Sequence, residues 1–161
     1  MKKAKKHTMI IDTREQKALK FYKSNIKMKT QKLVCGDYCM LFLDGKISNV
    51  VFERKTITDL FGTMTSGYER FKKAILRAQS KDISMFLIII GSFSKVAKGT
   101  RYSKTQGISV IRTVFSLWVR YNIIPIFAED KHVAAEIITQ YYMASWRKKL
   151  KDKKRKDWGL K

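Results

Sequence analysis

Three charged residues in a row, Glu53, Arg54 and Lys55, follow an apolar stretch that ends in Val51 and Phe52. Side chains of a β-strand alternate between its faces, so we expect Glu53 and Lys55 on one side and Arg54 on the other. A carboxylate can hold a divalent metal, and a nearby ammonium can orient a water and stabilise charge on a reacting phosphate. Taken alone, the triplet favours a solvated face with an internal ion pair. Phosphodiester cleavage needs further carboxylates beside it.

Two other positions supply such carboxylates. Asp37 follows Gly36, and Asp12 ends the apolar run at residues 8–11. Magnesium binds oxygen ligands and usually keeps several waters, with one or two carboxylates from the protein. Gly36-Asp37 alone indicates only a turn or a bulge, so the prediction rests on the joint pattern. We predict a magnesium site with Asp37, Glu53 and Asp12 as its candidate ligands.

The elements that must position these residues follow from the apolar periodicity and the turn residues. Asp44-Gly45 predicts a tight turn that joins two strands into a hairpin, with Asp37 on one strand and Glu53 on the other. The sole proline, Pro125, suits a strand at a sheet edge. The predicted strands cover residues 8–11, 32–43, 47–55, 85–90 and 123–127, and the predicted helices cover 15–23, 58–78 with a break near 62–67, 108–119, and a stretch from about 131. This alternation predicts an α/β fold with a mixed central sheet flanked by helices.

Composition indicates a polyanionic partner. The chain has 161 residues, with 35 Lys and Arg against 13 Asp and Glu, which gives a net charge of +22. Nucleic acid is the commonest partner of such a surface. The length and the 45% hydrophobic content favour one folded domain. Residues 147–161 hold nine basic and two acidic residues, so we expect a domain over 1–146 and a basic tail over 147–161.

The remaining composition bears on location. The two cysteines, Cys35 and Cys39, are too few for a secreted disulfide scaffold. No apolar run approaches the roughly 18 residues of a membrane span. We therefore expect an intracellular protein with no membrane partner, in the cytoplasm or nucleoid of a prokaryote or phage, or in the nucleus of a eukaryote.

Three segments together resemble a known family. They are Asp12-Thr13-Arg14-Glu15, Gly36-Asp37-Tyr38 and the string from Glu53 to Leu60, which reads Glu-Arg-Lys-Thr-Ile-Thr-Asp-Leu. The chain resembles the ERCC4-type nuclease domain of the XPF/MUS81/Hef structure-specific endonucleases over roughly residues 8–143. The segment from Gly67 to Phe71 and Gln79 resemble the helix that follows in that family.

The resemblance implies a restriction-endonuclease-like, PD-(D/E)XK fold and cleavage of DNA near branch points with magnesium or manganese. It implies Asp37 and Glu53 as metal ligands and Lys55 as the group that orients the attacking water. Asp12 either assists the metal or positions Arg54, and Asp59 is either catalytic or a helix-terminal residue that favours the helix dipole. The candidate catalytic residues are Asp12, Asp37, Glu53, Arg54, Lys55 and Asp59.

Candidate DNA-contacting residues come from the resemblance and from a basic segment at 92–104. They are Arg14, Arg70, Lys95, Lys98, Arg101 and Lys104. A merely solvated segment is the alternative for the last four. Family members commonly carry a helix-hairpin-helix module that places branched DNA and pairs subunits, and no such segment is found in this sequence. The preferred DNA junction and the formation of a homodimer or heterodimer therefore stay open. We expect the basic tail to bind the DNA backbone in place of that module.

Two alternatives to a branch-specific endonuclease remain. One is a catalytically silent DNA-binding partner subunit, and the other is a Holliday-junction resolvase or restriction-type nuclease on the same fold. A silent subunit is expected to have lost part of the acidic set, whereas this sequence keeps Asp37, Glu53 and Lys55 together. The sequence therefore favours the enzyme.

Overall fold

A mixed sheet with helices on both faces is the framework of the protein. The computed structural model describes residues 6–22 and 26–157. Their elements are β1 (His7–Ile11), β2 (Ile26–Thr30), β3 (Tyr38–Leu41), β4 (Val50–Thr56), α1 (Ile57–Met64), α2 (Tyr68–Gln79), β5 (Ser84–Ile90), α3 (Phe93–Lys98), α4 (Gly107–Tyr121), β6 (Ile124–Ala128) and α5 (Lys131–Asp157).

The strand order β2-β1-β3-β4-β5-β6 decides where the candidate residues meet. β3 is antiparallel to both of its neighbours, β1 and β4, whereas β4, β5 and β6 are parallel to one another. The end of β1, the start of β3 and the end of β4 therefore lie at the same edge of the sheet. Asp12, Asp37 and Lys55 stand there, and we call this the carboxylate edge.

Two hydrophobic clusters hold the helices against the sheet. On one face, Leu60, Ile75 and Leu117 from α1, α2 and α4 pack with Leu87 and Ile89 of β5. On the other face, α5 packs with residues that include Ile88, which lies between those two. β5 is thus buried on both faces, as its continuous apolar sequence predicted. The prediction of an α/β fold with a mixed sheet flanked by helices is confirmed.

The helix predicted over residues 15–23 is wrong for the described part, 15–22, and residue 23 lies outside the described residues. The Lys17 amide donates to the Glu15 side chain, and the Leu19 amide donates to the Tyr38 hydroxyl. Leu19 and Phe21 are buried while Lys20 between them is exposed. These side-chain partners and the alternating burial replace the hydrogen bonds of a helix.

Other boundaries also differ from the prediction. The strand predicted over 32–43 begins only at Tyr38, and the one predicted over 47–55 begins at Val50, although Ile47 still bridges to Leu41. β2 was not predicted, because four of its five residues are exposed at the sheet edge and it holds only two apolar residues, Ile26 and Met28. The segment at 92–104 contains a short helix, α3, whose first turn is capped by the Ser92 hydroxyl.

Several local predictions are confirmed. Asp44-Gly45 forms the hairpin turn, with Gly45 at a φ of 80° and the Phe42 amide bonded to the Lys46 carbonyl. The helical stretch is broken between α1 and α2, as expected near 62–67. Pro125 lies on β6, at the edge of the sheet.

Helix α5 crosses the sheet and continues past residue 146 without a break as far as Asp157. The described part of the basic tail is therefore helical, while residues 158–161 lie outside the described part. The division into a domain over 1–146 and a tail stays a prediction. Among the described residues, no helix is both long and apolar enough to cross a membrane.

Gly36 sets the direction in which the chain enters the carboxylate edge. Its φ is 73°, in the left-handed region that side chains disfavour. A Cβ at this position would stand 2.8 Å from the Cβ of Val51 on β4. The close approach of the two backbones lets the next residue, Asp37, bond its amide to the Phe52 carbonyl at 2.8 Å.

We predict that Gly36→Ala lowers the free energy of unfolding by more than about 1 kcal/mol, because Ala is strained at positive φ and meets Val51. Chemical denaturation followed by circular dichroism would measure the change. Gly62→Ala is the matched control, since its Cβ would meet nothing within 4 Å inside α1. That control should be neutral or stabilising. Equal behaviour of the two variants would show that neither strain nor contact matters at Gly36.

Candidate active site

Glu53, Lys55 and Asp37 meet where β3 and β4 pair at the carboxylate edge. Lys55 Nζ lies 2.6 Å from Glu53 Oε1, so these two side chains share one face of β4 as predicted. Both are largely but not fully shielded, with 19% of Lys55 and 15% of Glu53 exposed. The Arg54 amide donates to Asp37 Oδ2 at 2.7 Å and ties the carboxylate to the backbone of β4.

Asp37 is the carboxylate least compensated by its surroundings. Burial, and then the negative charge of Glu53, raise the pKa of Asp37 to about 7. The Arg54 amide bond and the Lys55 charge oppose this rise but do not cancel it. Within the described residues, that amide is the one hydrogen-bond donor to the Asp37 carboxylate. A divalent cation bound to the oxygens of Asp37 and Glu53 would therefore stabilise the charged form of Asp37.

Asp12 lies at the same edge, but its oxygens are already occupied. Oδ1 accepts from the amide and Nε of Arg14 at 2.9 and 2.6 Å, and Oδ2 accepts from the Leu33 amide at 2.6 Å. Burial raises the pKa of Asp12, but the bonds from Arg14 and Leu33 outweigh it and lower the pKa overall. Across residues 6–22 and 26–157, no group of three Asp, Glu, His or Cys side chains is arranged to hold a metal ion. Asp37, Glu53 and Asp12 as metal ligands therefore stay predictions, and among them Asp12 has the fewest free oxygens.

Arg54 points to the other face, where a residue without a predicted role receives it. Its Nε and Nη2 donate to the two carboxylate oxygens of Glu15, both at 2.9 Å. Only 8% of the Arg54 side chain and 4% of the Glu15 side chain are exposed. The Tyr38 hydroxyl also donates to Glu15, at 3.3 Å. Glu15 rather than Asp12 therefore positions Arg54, the residue whose amide fixes Asp37.

Sequence reasoning missed this role of Glu15 for a physical reason. Glu15 and Arg54 are 39 residues apart in the sequence, and no local pattern around either residue predicts that they pair. The available signal was the position of Glu15 inside the Asp12-Thr13-Arg14-Glu15 string. Burial raises the pKa of Glu15, but the hydrogen bonds from Arg54 more than offset this and lower it.

Asp59 takes a structural position in the first turn of α1. The Asp59 amide donates to the Thr56 hydroxyl at 3.2 Å, and that hydroxyl donates to Asp59 Oδ2 at 2.7 Å. The Thr56 amide also donates to Asp59, so the two residues form a capping box. This is the helix-terminal role that the sequence left open, and a catalytic role for Asp59 stays a prediction.

A polar groove leads away from Lys55 between α1 and α2. It has a volume of about 560 Å³, and Arg70 lies on its wall as an exposed cation. The rest of its lining consists of three hydroxyl residues, one carboxylate and two glycines, namely Thr58, Thr63, Ser66, Asp59, Gly62 and Gly67. Cations and hydroxyls are the groups that contact phosphate oxygens in nucleic-acid complexes.

The segment after β5 brings further basic residues to this edge, since Ile90 at the end of β5 pairs with Thr56 at the end of β4. Arg101 donates to the Tyr102 hydroxyl at 2.6 Å. The candidate DNA-contacting residues of this segment, all exposed, are Lys95, Lys98, Arg101 and Lys104. The Arg14 side chain is 58% exposed beside Asp12. Its hydrogen bond to Asp12 raises the pKa of Arg14, and the negative charges of Asp37 and Glu53 raise it further. Contacts of these residues with DNA stay predictions.

Comparison with known proteins supplies the family and the fold. A profile of the family described as "ERCC4 domain" matches residues 11–141. The structure is similar to "XPF from Aeropyrum pernix", with a TM-score of 0.66 and 18% identity over 91% of this chain and 69% of that chain. A structure of the same protein in complex with DNA gives a TM-score of 0.65 and 18% identity, over 87% of this chain and 65% of that one. This chain thus spans about two thirds of their length. A search of curated protein sequences gave no match.

These similarities confirm two predictions from the sequence. The resemblance to the ERCC4-type nuclease domain is confirmed, because the matched range includes Asp37, Glu53 and Lys55 as well as most of the sheet. The restriction-endonuclease-like fold is confirmed by the similarity to the XPF structure. The identity of 18% limits what that structure shows to the fold.

We predict that Asp37→Asn stabilises the protein in EDTA, and that the gain grows with pH. The folded-state pKa of Asp37, about 7, lies above the roughly 3.9 of an unfolded aspartate. Ionising Asp37 in the folded protein is therefore costly, and stability falls as the pH rises from about 4 to about 7. Asn keeps an oxygen for the Arg54 amide without the charge. The melting temperature should rise by about 2–4 °C for each kcal/mol gained.

Thermal melts of the wild type and of Asp37→Asn at intervals from acid to mild alkali would test this. The gain should be near zero at the acid end, reach a plateau above the folded-state pKa, and shrink when magnesium is added. A gain that is equal at every pH would contradict the assigned role of burial and of the Glu53 charge.

We also predict that Glu15→Gln lowers the free energy of unfolding by about 3–5 kcal/mol, since it leaves the buried Arg54 guanidinium without a counter-charge. Urea denaturation would measure the loss. Asp44→Asn, which breaks the partly exposed pair with Lys149, is the control and should change stability little. Replacing Glu15 and Arg54 together with Met should recover much of the loss. If Glu15→Gln cost no more than the control, the buried pair would not be holding Arg54.

Proposed function

This chain belongs to the ERCC4 domain family, and on that premise we propose that it is a metal-dependent DNA endonuclease. The proposed substrate is branched DNA such as 3′ flaps or forks, and the proposed cofactor is Mg²⁺ or Mn²⁺. The observation that supports it best is the pairing of Asp37 and Glu53 beside Lys55, with the pKa of Asp37 raised to about 7. A buried carboxylate whose charged form is disfavoured by burial and by a neighbouring carboxylate is suited to bind a cation together with that neighbour.

The donor set fits magnesium or manganese. Carboxylate oxygens are the ligands these hard cations prefer, and magnesium commonly takes one or two from the protein. Asp37 would contribute the Oδ atom not held by the Arg54 amide, and Glu53 would contribute the oxygen that Lys55 leaves free. A metal held there would supply Lewis-acid polarisation of the phosphate and lower the pKa of a nearby water.

The protein's own side chains would carry out the remaining steps of the proposed hydrolysis. Lys55 orients the attacking water and stabilises the charge that develops on the phosphate oxygens. The water attacks phosphorus in line and releases its proton to solvent, while the bond from phosphorus to the 3′ oxygen breaks and that oxygen takes up a proton from solvent. Arg14, exposed beside Asp12, would contact a neighbouring phosphate. Glu15 and Arg54 hold the Asp37 carboxylate in place rather than touching the substrate.

The strand to be cut would continue along the polar groove beside Lys55, where Arg70 and the hydroxyls could hold its phosphates. The net charge of +22 supports a DNA partner. The XPF structure in complex with DNA shows that a protein of the same fold binds DNA.

The test is cleavage of labelled 3′-flap, fork, four-way-junction and plain duplex DNA with Mg²⁺, Mn²⁺ or EDTA. We expect cleavage that requires metal and favours the flap or fork. Asp37→Asn and Lys55→Ala should each lower the rate at saturating DNA by at least about 100-fold. Asp82→Asn, an equal change at an exposed carboxylate in the turn before β5, is the control and should cleave like the wild type.

The outcomes separate the competing functions. A preference for the four-way junction would indicate a resolvase, and equal cutting of plain duplex would indicate a nuclease without branch preference. Tight binding of DNA without cutting under any metal condition would contradict the enzyme and indicate a silent binding subunit. Cutting by Asp37→Asn at the wild-type rate would overturn the assigned site.

A further inference from the structure

We propose that a lysine-lined groove at the end of the sheet opposite the carboxylate edge binds the phosphate backbone of a second duplex segment of the DNA substrate. The inference rests on the proposed function, because it assumes that DNA is the substrate. We call this surface the distal groove. It has a volume of about 700 Å³ and lies between the β3–β4 turn and the C-terminal part of α5, with Asp44, Lys46, Lys148, Lys149, Lys153 and Lys156 on its walls.

The distal groove is separate from the proposed cleavage site. Phe42, directly after the end of β3, lies five residues after Asp37, which corresponds to about 17 Å along an extended chain. Trp146 of α5 stacks on Phe42 with 5.5 Å between ring centroids. The lysines that follow Trp146 therefore begin roughly 17 Å from the carboxylates and continue away from them.

The basic end of α5 is anchored to the sheet. Lys149 Nζ lies 5.5 Å from the ring centroids of both Phe42 and Trp146 and forms an ion pair with Asp44. The His7 ring packs edge-on against Trp146 at 5.2 Å. These contacts fix the first turn beyond residue 146, so the neighbouring lysines are presented in a defined arrangement. A surface arranged before binding loses less conformational entropy when a ligand arrives.

The charge of the distal groove is strongly positive and largely uncompensated. Eight of the ten residues 147–156 are Lys or Arg. Asp44 is neutralised by Lys149, whereas Lys46, Lys148, Lys153 and Lys156 have no ion-pair partner among the described residues. Asp152 is the remaining acidic residue on the wall of the groove. Such a surface suits a polyanion whose charges are regularly spaced.

Duplex DNA fits this surface better than a membrane does. From Lys148 to Lys156 the helix rises about 12 Å, close to the length of three to four base pairs. A membrane-surface helix needs an apolar face, and Leu150 is the one apolar residue among 147–157. A duplex arm within one helical turn, about 34 Å, of a phosphate at Asp37 would reach the distal groove. A branched substrate supplies such an arm.

The test uses the full chain and measures binding to a forked duplex in EDTA over a range of salt concentrations. We compare the triple variant Lys148→Gln, Lys153→Gln and Lys156→Gln with the wild type, since Gln keeps the helix propensity of Lys. The dissociation constant should rise by about tenfold or more, and the salt slope should become shallower by about 0.9 for each phosphate that the variant no longer neutralises. Single-turnover cleavage at saturating enzyme should stay within about twofold of wild type, because the change leaves transition-state interactions intact.

The matched control removes the same charge from three exposed residues in or next to α2 and α4, which cover the sheet face opposite α5. Its substitutions are Lys73→Gln, Lys81→Gln and Arg120→Gln. Its dissociation constant should change by less than that of the distal variant. Asp152→Lys should tighten binding, a gain that misfolding cannot imitate. Equal losses of DNA affinity in both triple variants, or no gain from Asp152→Lys, would overturn the proposal. So would a distal triple variant that loses binding to anionic lipid vesicles but keeps wild-type affinity for the forked duplex. Since binding is measured in EDTA, a failure of cleavage would contradict the nuclease without affecting this result.

Discussion

The structure depends on the way Arg54 links both faces of β4. Its amide holds Asp37 Oδ2 at 2.7 Å, and its guanidinium holds both oxygens of Glu15. The antiparallel pairing of β3 and β4 brings Asp37 to that amide, and the strand alternation sends Glu53 and Lys55 to the opposite face. One residue in the middle of a charged triplet thus fixes the Asp37 carboxylate from the face opposite Glu53 and Lys55.

The four carboxylates near this edge differ in how they are compensated, and that difference separates structure from chemistry. Asp12 and Glu15 each have an arginine partner, and their pKa values are lowered despite burial. Asp37 has a backbone amide instead, and its pKa is raised. Glu53 has Lys55, which is itself needed for the proposed reaction. Carboxylates with a full complement of donors hold the fold, and those without one are available to a cation.

The sequence was sufficient where the information is local or repeats along the chain. The alternation in β4 predicted the faces of Glu53, Arg54 and Lys55, and Asp44-Gly45 predicted the hairpin turn. The sequence was insufficient where a tertiary contact decides the structure. Residues 15–22 have helical composition but are held by Tyr38 and Arg54, which are distant in sequence. The fold could be predicted because the apolar residues of its core recur with helix and strand periods along the sequence. The role of Glu15 could not, because it depends on one pair of residues distant in sequence.

If Asp37 and Glu53 bind a metal as proposed, a protein of charge +22 gains from placing many of its own cations away from them. Further lysines beside Asp37 and Glu53, in addition to Lys55, would weaken the proposed hold of these carboxylates on a metal. The structure concentrates eight basic residues in the C-terminal part of α5, beyond Trp146, at the other end of the sheet. A separation of about 17 Å or more exceeds the Debye length of about 8 Å at physiological salt, so these charges are screened from the carboxylates. In the proposed function, one end of the molecule then attracts the duplex while Asp37 and Glu53 at the other end stay available to a cation.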